Sequence, residues 1–196
     1  MELVTIDKDI LEFLRAIYFG SYVSGFEAAS SRAYRDMNRT IRFNGLDEKK
    51  RESLRKKVYI YLEKEIKDIS VDSQIEFDKW HFKVCDYIRT LYRNEGVLFT
   101  YGQSQKWVNM TFKYLYIIGE MEKIDYFNLL HIPLDNYVFD IAVKEFGGER
   151  PSVPWSRWDD YYNQYLPYQE MIRQNVSEEP LRWEFKYWLK EARNRG

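Results

Sequence analysis

The chain has one cysteine, Cys85, among 196 residues. A single thiol excludes an internal disulfide, a four-cysteine iron–sulfur cluster and a cysteine-rich zinc site. Two histidines, His81 and His131, leave little for a histidine-rich centre, so the reading expects no metal and no cofactor. Glycine and proline are scarce, 9 and 5, which disfavours the many turns of a β-sandwich or barrel. No stretch reaches the roughly 18 uncharged apolar residues of a membrane span. Net charge is −1, so a nucleic-acid surface has to be a local patch. Phosphate-loop, nucleophile-elbow, His-Glu-x-x-His and dinucleotide fingerprints are all missing. The first residues, Met-Glu-Leu-Val-Thr-Ile-Asp, lack the basic and apolar regions of a secretory signal, and with the lone cysteine this predicts a cytoplasmic protein.

Aromatic residues are abundant instead: 6 Trp, 17 Tyr and 12 Phe make up 18% of the chain. Most recur at three- and four-residue intervals, the spacing of one helix face. The pattern predicts helices over 7–19, 26–43, 47–69, 74–93, 104–118, 136–146, 159–175 and 179–193. A less regular piece covers 121–134, and a loop with two prolines and two tryptophans covers 149–158. In 7–19 the helical positions are Ile10, Leu11, Leu14, Ile17 and Tyr18. The predicted fold is all-α, with about eight helices in one compact globule. A seam near 70–73 divides it into an N-terminal half, 1–70, and a C-terminal half, 71–196.

The N-terminal half holds the local charge. Arg32, Arg35, Arg39 and Arg42 are spaced by three, four and three, which on one helix aligns four guanidinium groups. Lys49, Lys50, Arg51, Arg55, Lys56 and Lys57 follow. From 32 to 57 the basic residues exceed Asp36, Asp47, Glu48 and Glu52 by six. Such a patch neutralises phosphates, which places DNA or RNA among the expected partners.

A polar cluster interrupts the aromatic pattern in the C-terminal half: Gly102, Gln103, Ser104, Gln105, Lys106, Asn109 and Lys113. Further on come His131, Pro133, Asp135 and Asn136, with Val138 and Gly147 behind them. If the polar groups converge, they form a ligand pocket walled by Trp107 and Tyr137. Residues 77–147 resemble the helix-hairpin-helix DNA glycosylases of the endonuclease III class. That family carries Gly-x-Gly-x-Lys before a helix, then a Pro-x-Asp-x-x-Val segment whose Asp starts the next helix. Gly102 and Lys106 take the first and last hairpin positions, with Ser104 at the second glycine. Pro133, Asp135, Val138 and Gly147 take the second segment. The resemblance implies a backbone hairpin that holds a DNA phosphate. It also implies Lys106 as an amine nucleophile and Asp135 as the carboxylate that assists departure of a flipped base.

Trp155, Trp158, Tyr161, Tyr162, Tyr165, Tyr168, Trp183, Tyr187 and Trp188 crowd the last 45 residues. Interior packing accounts for most of them. The competing functional reading is a helical interaction or regulatory protein, with a protein partner docked on these aromatic helices.

Overall fold

Helices form where the sequence supplies both a cap and a periodic apolar face. The computed structural model describes residues 8–20, 25–119, 125–147 and 149–195. Asp7 as a cap, most of the break at 20–25, Gly148 and part of 121–134 lie outside the described residues. Eight α-helices are present among the described residues: α1 (Lys8–Phe19), α2 (Gly25–Met37), α3 (Glu48–Lys67), α4 (Gln74–Arg93), α5 (Tyr101–Ile117), α6 (Asn136–Phe146), α7 (Leu166–Asn175) and α8 (Pro180–Arg195). There is no strand among the described residues, and no helix there is long and apolar enough to cross a membrane.

The caps are local chemistry. Asp47, Ser73 and Asp135 each accept a backbone N–H three residues on, at the starts of α3, α4 and α6. Gly147 ends α6 at φ +74°, where a side chain would be strained. Leu54, Val58, Leu62 and Ile66 turn one face of α3 inward, and Phe77, Val84, Ile88 and Tyr92 do the same for α4.

At the centre lies α5. Every residue from Tyr101 to Leu115 is buried, so the helix has no solvent face over that length. Its largest helix–helix interface is with α2, which joins the two halves across the expected seam at 70–73. The Trp107 ring lies 4.8 Å from Tyr34, and its indole N–H donates to the Ser30 carbonyl at 3.1 Å. Fully burying each large apolar side chain on this face contributes about 1.5–3 kcal/mol.

Three boundaries differ from the sequence reading. The helix expected over 26–43 ends at Met37 and passes into a 3₁₀ turn, Asn38–Thr40. Thr40 there donates its hydroxyl back to the Met37 carbonyl at 2.8 Å, a local bond that competes with the helical ladder. Expected at 104, α5 starts at Tyr101, because Thr100 and Gln103 form a reciprocal capping box. The stretch 159–175 splits into a π turn, Tyr161–Tyr165, and α7, with Pro167 in the first turn of α7. The loop 149–158 holds a 3₁₀ turn at Trp155–Arg157, and the irregular piece holds another at Phe127–Leu129.

Candidate functional site

The polar cluster on α5 is brought together with the 131–136 segment, and it is sealed rather than open. Its N-terminus is closed by the chain itself. The Tyr101 N–H donates to Asp159 Oδ1 at 3.1 Å and the Gly102 N–H to the Trp158 carbonyl at 2.7 Å. The next two N–H groups donate to Thr100. Arg89 and Arg93 hold Asp159 in place at 3.1 and 2.6 Å. Gly102 therefore lies inside the first turn of α5, where the Trp155 carbonyl crosses so closely that a Cβ would meet it at 1.8 Å. Ser104 is buried, and its hydroxyl donates back to the Thr100 carbonyl. Gln103 reaches across to the Thr40 carbonyl at 2.8 Å.

Lys106 and Asp135 meet. The ammonium donates to Asp135 Oδ2 at 2.7 Å, while Oδ1 caps α6 by accepting the Val138 N–H at 3.0 Å. The Lys106 side chain is 6% exposed and that of Asp135 16%, so the pair lies just beneath the surface. Trp155 presents its ring 5.9 Å from the ammonium. Burial pushes the Asp135 carboxyl up, but Lys106 and the Val138 N–H outweigh it and hold it below the usual carboxylate range. Two helical turns further, Lys113 donates to both oxygens of Glu184 on α8, at 2.8 and 2.6 Å, under the rings of Phe185 and Trp188. Burial raises the Glu184 carboxyl despite Lys113 beside it. The two pairs feel one another: Lys113 favours the ionised form of Asp135, and Asp135 disfavours that of Glu184.

The amides and histidines form a second, neutral layer. Asn109 accepts from His81 Nε2 at 2.9 Å, and its NH₂ serves Gln105, the Ile132 carbonyl and the Tyr165 hydroxyl. Gln105 also bonds the backbone of Leu134. His131 meets Tyr165 at Nδ1 (2.9 Å) and Asp78 at Nε2 (2.7 Å). His81 Nδ1 faces the Tyr101 hydroxyl at 2.9 Å. Desolvation lowers the pKa of both histidines, for His131 in spite of Asp78.

The expected pocket walled by Trp107 and Tyr137 does not form. Trp107 faces α2, on the far side of α5 from Asp135, and Tyr137 is half-buried against Trp188, 5.0 Å away. Asn136 is exposed at the start of α6. An open groove of about 980 Å³ lies instead along Tyr116, Arg182, Phe185 and Lys186, and Lys106 and Asp135 do not line it. His81 was not distinguishable from an ordinary helix residue in the sequence. Asp78, Tyr165 and Gln169 also belong to this network; their one sequence signal is the Asp78–His81 and Tyr165–Gln169 spacing, which aims each couple at one side. Cys85 is buried beside His81, and burial pushes its thiol up, as befits an inert core residue.

The four arginines do not share a helix face, because α2 ends at Met37. Arg32 pairs with Asp36 at 3.5 Å and covers the Tyr18 ring at 4.4 Å. Arg35 stands exposed in the last turn of α2, Arg39 in the 3₁₀ turn and Arg42 in the connection to α3. Of the C-terminal aromatics, Trp155, Trp158, Tyr161, Tyr165 and Trp183 are buried and Tyr162 is 64% exposed. Compared with protein-family models, curated proteins and solved structures, the chain matches none of them.

Proposed function

We propose that this chain engages nucleic acid through the basic surface between the end of α2 and the first half of α3. The supporting observation is how its charges are paired. Arg32, Lys50, Arg51 and Arg55 each face a carboxylate of the chain. Arg35, Arg39, Arg42, Lys49, Lys56 and Lys57 are exposed and form no ion pair among the described residues. The local excess of six thus sits on six solvent-facing cations within 23 residues of chain. Cations already satisfied by carboxylates have little to gain from phosphate; these six have no such competitor. Neutralising about six phosphates gives a log–log salt slope near −5 on duplex DNA.

The test is fluorescence anisotropy with labelled single- and double-stranded oligonucleotides from about 50 to 200 mM salt. Steeply salt-dependent binding is expected, weakened by Arg35→Glu, Arg39→Glu and Arg42→Glu. Absence of binding to DNA and RNA at low salt overturns the proposal.

A second reading adds chemistry, and the Lys106–Asp135 contact favours it, since the resemblance gives these two residues the roles of nucleophile and carboxylate. In a glycosylase or lyase step Asp135 takes one ammonium proton, and the freed Lys106 amine attacks C1′ of the sugar. The glycosidic bond breaks, and the base leaves with the electron pair and collects the proton from Asp135. Such a step requires the pair to open toward solvent. Borohydride trapping on a duplex containing an abasic site tests the amine: Lys106 adds to the ring-opened C1′ aldehyde with loss of water, borohydride reduces the resulting imine, and the covalent adduct is expected to be lost in Lys106→Ala. An adduct that persists in a folded Lys106→Ala variant excludes this residue.

A further inference from the structure

The sequence places Ile10, Leu14 and Ile17 of α1 at helical spacing, and the structure turns these residues and Phe13 outward. Ile10 is 56% exposed, Phe13 62%, Leu14 53% and Ile17 67%. They occupy positions i, i+3, i+4 and i+7, so they form one continuous strip rather than scattered side chains. Contact with the body is made by the last turn. Phe19 is buried edge-on against Tyr114, with ring centroids 5.3 Å apart, and Tyr18 lies under the Arg32 guanidinium. Contiguous exposed apolar strips of this kind mark interaction surfaces in soluble proteins.

We propose that a second copy of this chain covers the strip, with the two α1 helices packed antiparallel about a two-fold axis between Phe13 and Leu14. The argument begins with symmetry. An isologous contact requires a patch that complements itself. The spacing of three, one and three reads the same in both chain directions, so an antiparallel copy sets Ile10 on Ile17 and Phe13 on Leu14. Isoleucine then faces isoleucine at the ends, and the larger Phe13 faces the smaller Leu14 at the centre. Area is the second argument. Four side chains more than half exposed, with Tyr18 beside them, leave roughly 500 Å² per copy. Two copies together bury about 1,000 Å², the lower bound for a specific interface. Charge is the third. Asp9 and Glu12 stand exposed next to the strip. In sequence α1 sets Lys8 and Arg15 against them, so its charges balance and offer no net attraction to an anionic lipid surface, which prefers a basic polar face. Because α1 and the cations of 35–57 are separate surfaces, this proposal stands independently of nucleic-acid binding.

Analytical ultracentrifugation of the full chain over a concentration series tests it. The apparent mass is expected to climb from 24.0 kDa toward twice that value. Phe13→Glu and, separately, Ile17→Glu are expected to stay at the monomer mass with an unchanged circular dichroism spectrum, since both positions are exposed. The register is tested by oxidative cross-linking. A mixture of Ile10→Cys and Ile17→Cys chains is expected to form a disulfide-linked pair, and Ile10→Cys alone is not. A wild-type chain that stays monomeric up to its solubility limit overturns the proposal. So does a dimer that survives Phe13→Glu, or equal cross-linking by Ile10→Cys alone. A monomer that sediments with phosphatidylcholine or phosphatidylglycerol vesicles, and loses this in Phe13→Glu, also overturns it and assigns the strip to a membrane surface.

Discussion

His81 and His131 lie with ring centroids 4.6 Å apart, both fully enclosed, and their partners assign each the same neutral tautomer. His81 gives its Nε2–H to the Asn109 carbonyl oxygen and accepts from Tyr101 at Nδ1. His131 gives its Nε2–H to Asp78 and accepts from Tyr165 at Nδ1. A second proton on either ring would meet a hydroxyl already oriented to donate, with the other histidine close by. The folded state therefore takes up protons below the ordinary histidine pKa of 6.5, as both lowered values indicate. The unfolded chain takes them up at about 6.5, so it binds more protons as the pH falls, and stability falls with it. The stability due to neutral histidines is fully present above about pH 6.5. Below that it is lost progressively as the pH falls. Raised by burial, Glu184 acts with the opposite sign above its ordinary 4.5. Urea unfolding at a series of pH values is expected to show stability falling below about pH 6.5, less steeply in His81→Gln. A flat profile contradicts neutral buried rings.

Tyr165 is the junction of that layer. Its hydroxyl accepts from Asn109 at 2.9 Å and from Gln169 at 3.2 Å, and donates to His131. Tyr165→Phe removes one oxygen and leaves the His131 Nδ1 acceptor buried without a donor. A buried polar group left unpaired costs about 1–3 kcal/mol. The variant is expected to lose about that much in chemical denaturation. Tyr162→Phe, two-thirds exposed and outside the layer, is expected to change stability by less than about 0.5 kcal/mol. Equal effects at the two positions would contradict the assigned network.

The helices were legible because capping residues and three- and four-residue spacing are local signals. What surrounds a helix is not local. On α5 the amides and lysines read as a wetted side next to an apolar stripe, yet the fold encloses both. The cue available in sequence was the kind of polar residue: Gln105, Asn109, Lys106 and Lys113 all have groups that distant partners satisfy, and the Leu134 backbone, Tyr165, Asp135 and Glu184 are those partners. For α1 the spacing identified the helix but not what its apolar face meets. Periodicity identified an amphipathic helix, but a stripe looks the same whether its own chain or another molecule covers it. At Met37 no glycine or proline announced the end of α2, because a threonine hydroxyl terminates it.

Lys106 and Asp135 allow the pair to be separated from the cap. Asp135→Asn retains an amide oxygen that caps α6 about as well as a carboxylate, but it leaves a buried ammonium without its counter-charge. The expected loss is about 3–5 kcal/mol. Asp135→Ala removes the cap as well and is expected to cost about 1 kcal/mol more. In Lys106→Met with Asp135→Asn no charge is stranded, so the double variant should recover most of the single loss. Urea titration followed by tryptophan fluorescence measures these three and Lys106→Met alone. A double variant as unstable as the sum of its singles would mean that the two groups do not interact.

Gly102 carries the remaining motif position, and the structure gives it a steric reason. It is the second residue of α5 with ordinary helical backbone, so alanine there would normally favour the helix by about 1 kcal/mol. Here the added methyl would stand 1.8 Å from the Trp155 carbonyl oxygen and 2.9 Å from its carbon. Both are main-chain atoms, which cannot swing aside as a flexible side chain does. Relief requires the 155–159 segment to lift off α5. That breaks the Gly102 N–H to Trp158 bond and pulls Asp159 from the Tyr101 N–H and from Arg93. Trp155, stacked beside Lys106, would move with it. Gly102→Ala is therefore expected to destabilise the chain by more than about 2 kcal/mol, against the propensity scale, and to shift the tryptophan emission to longer wavelength. If the variant is as stable as wild type, the close crossing of Trp155 over the start of α5 is wrong. In that case the N-terminal N–H groups of α5 would be open to a phosphate, as the hairpin resemblance requires.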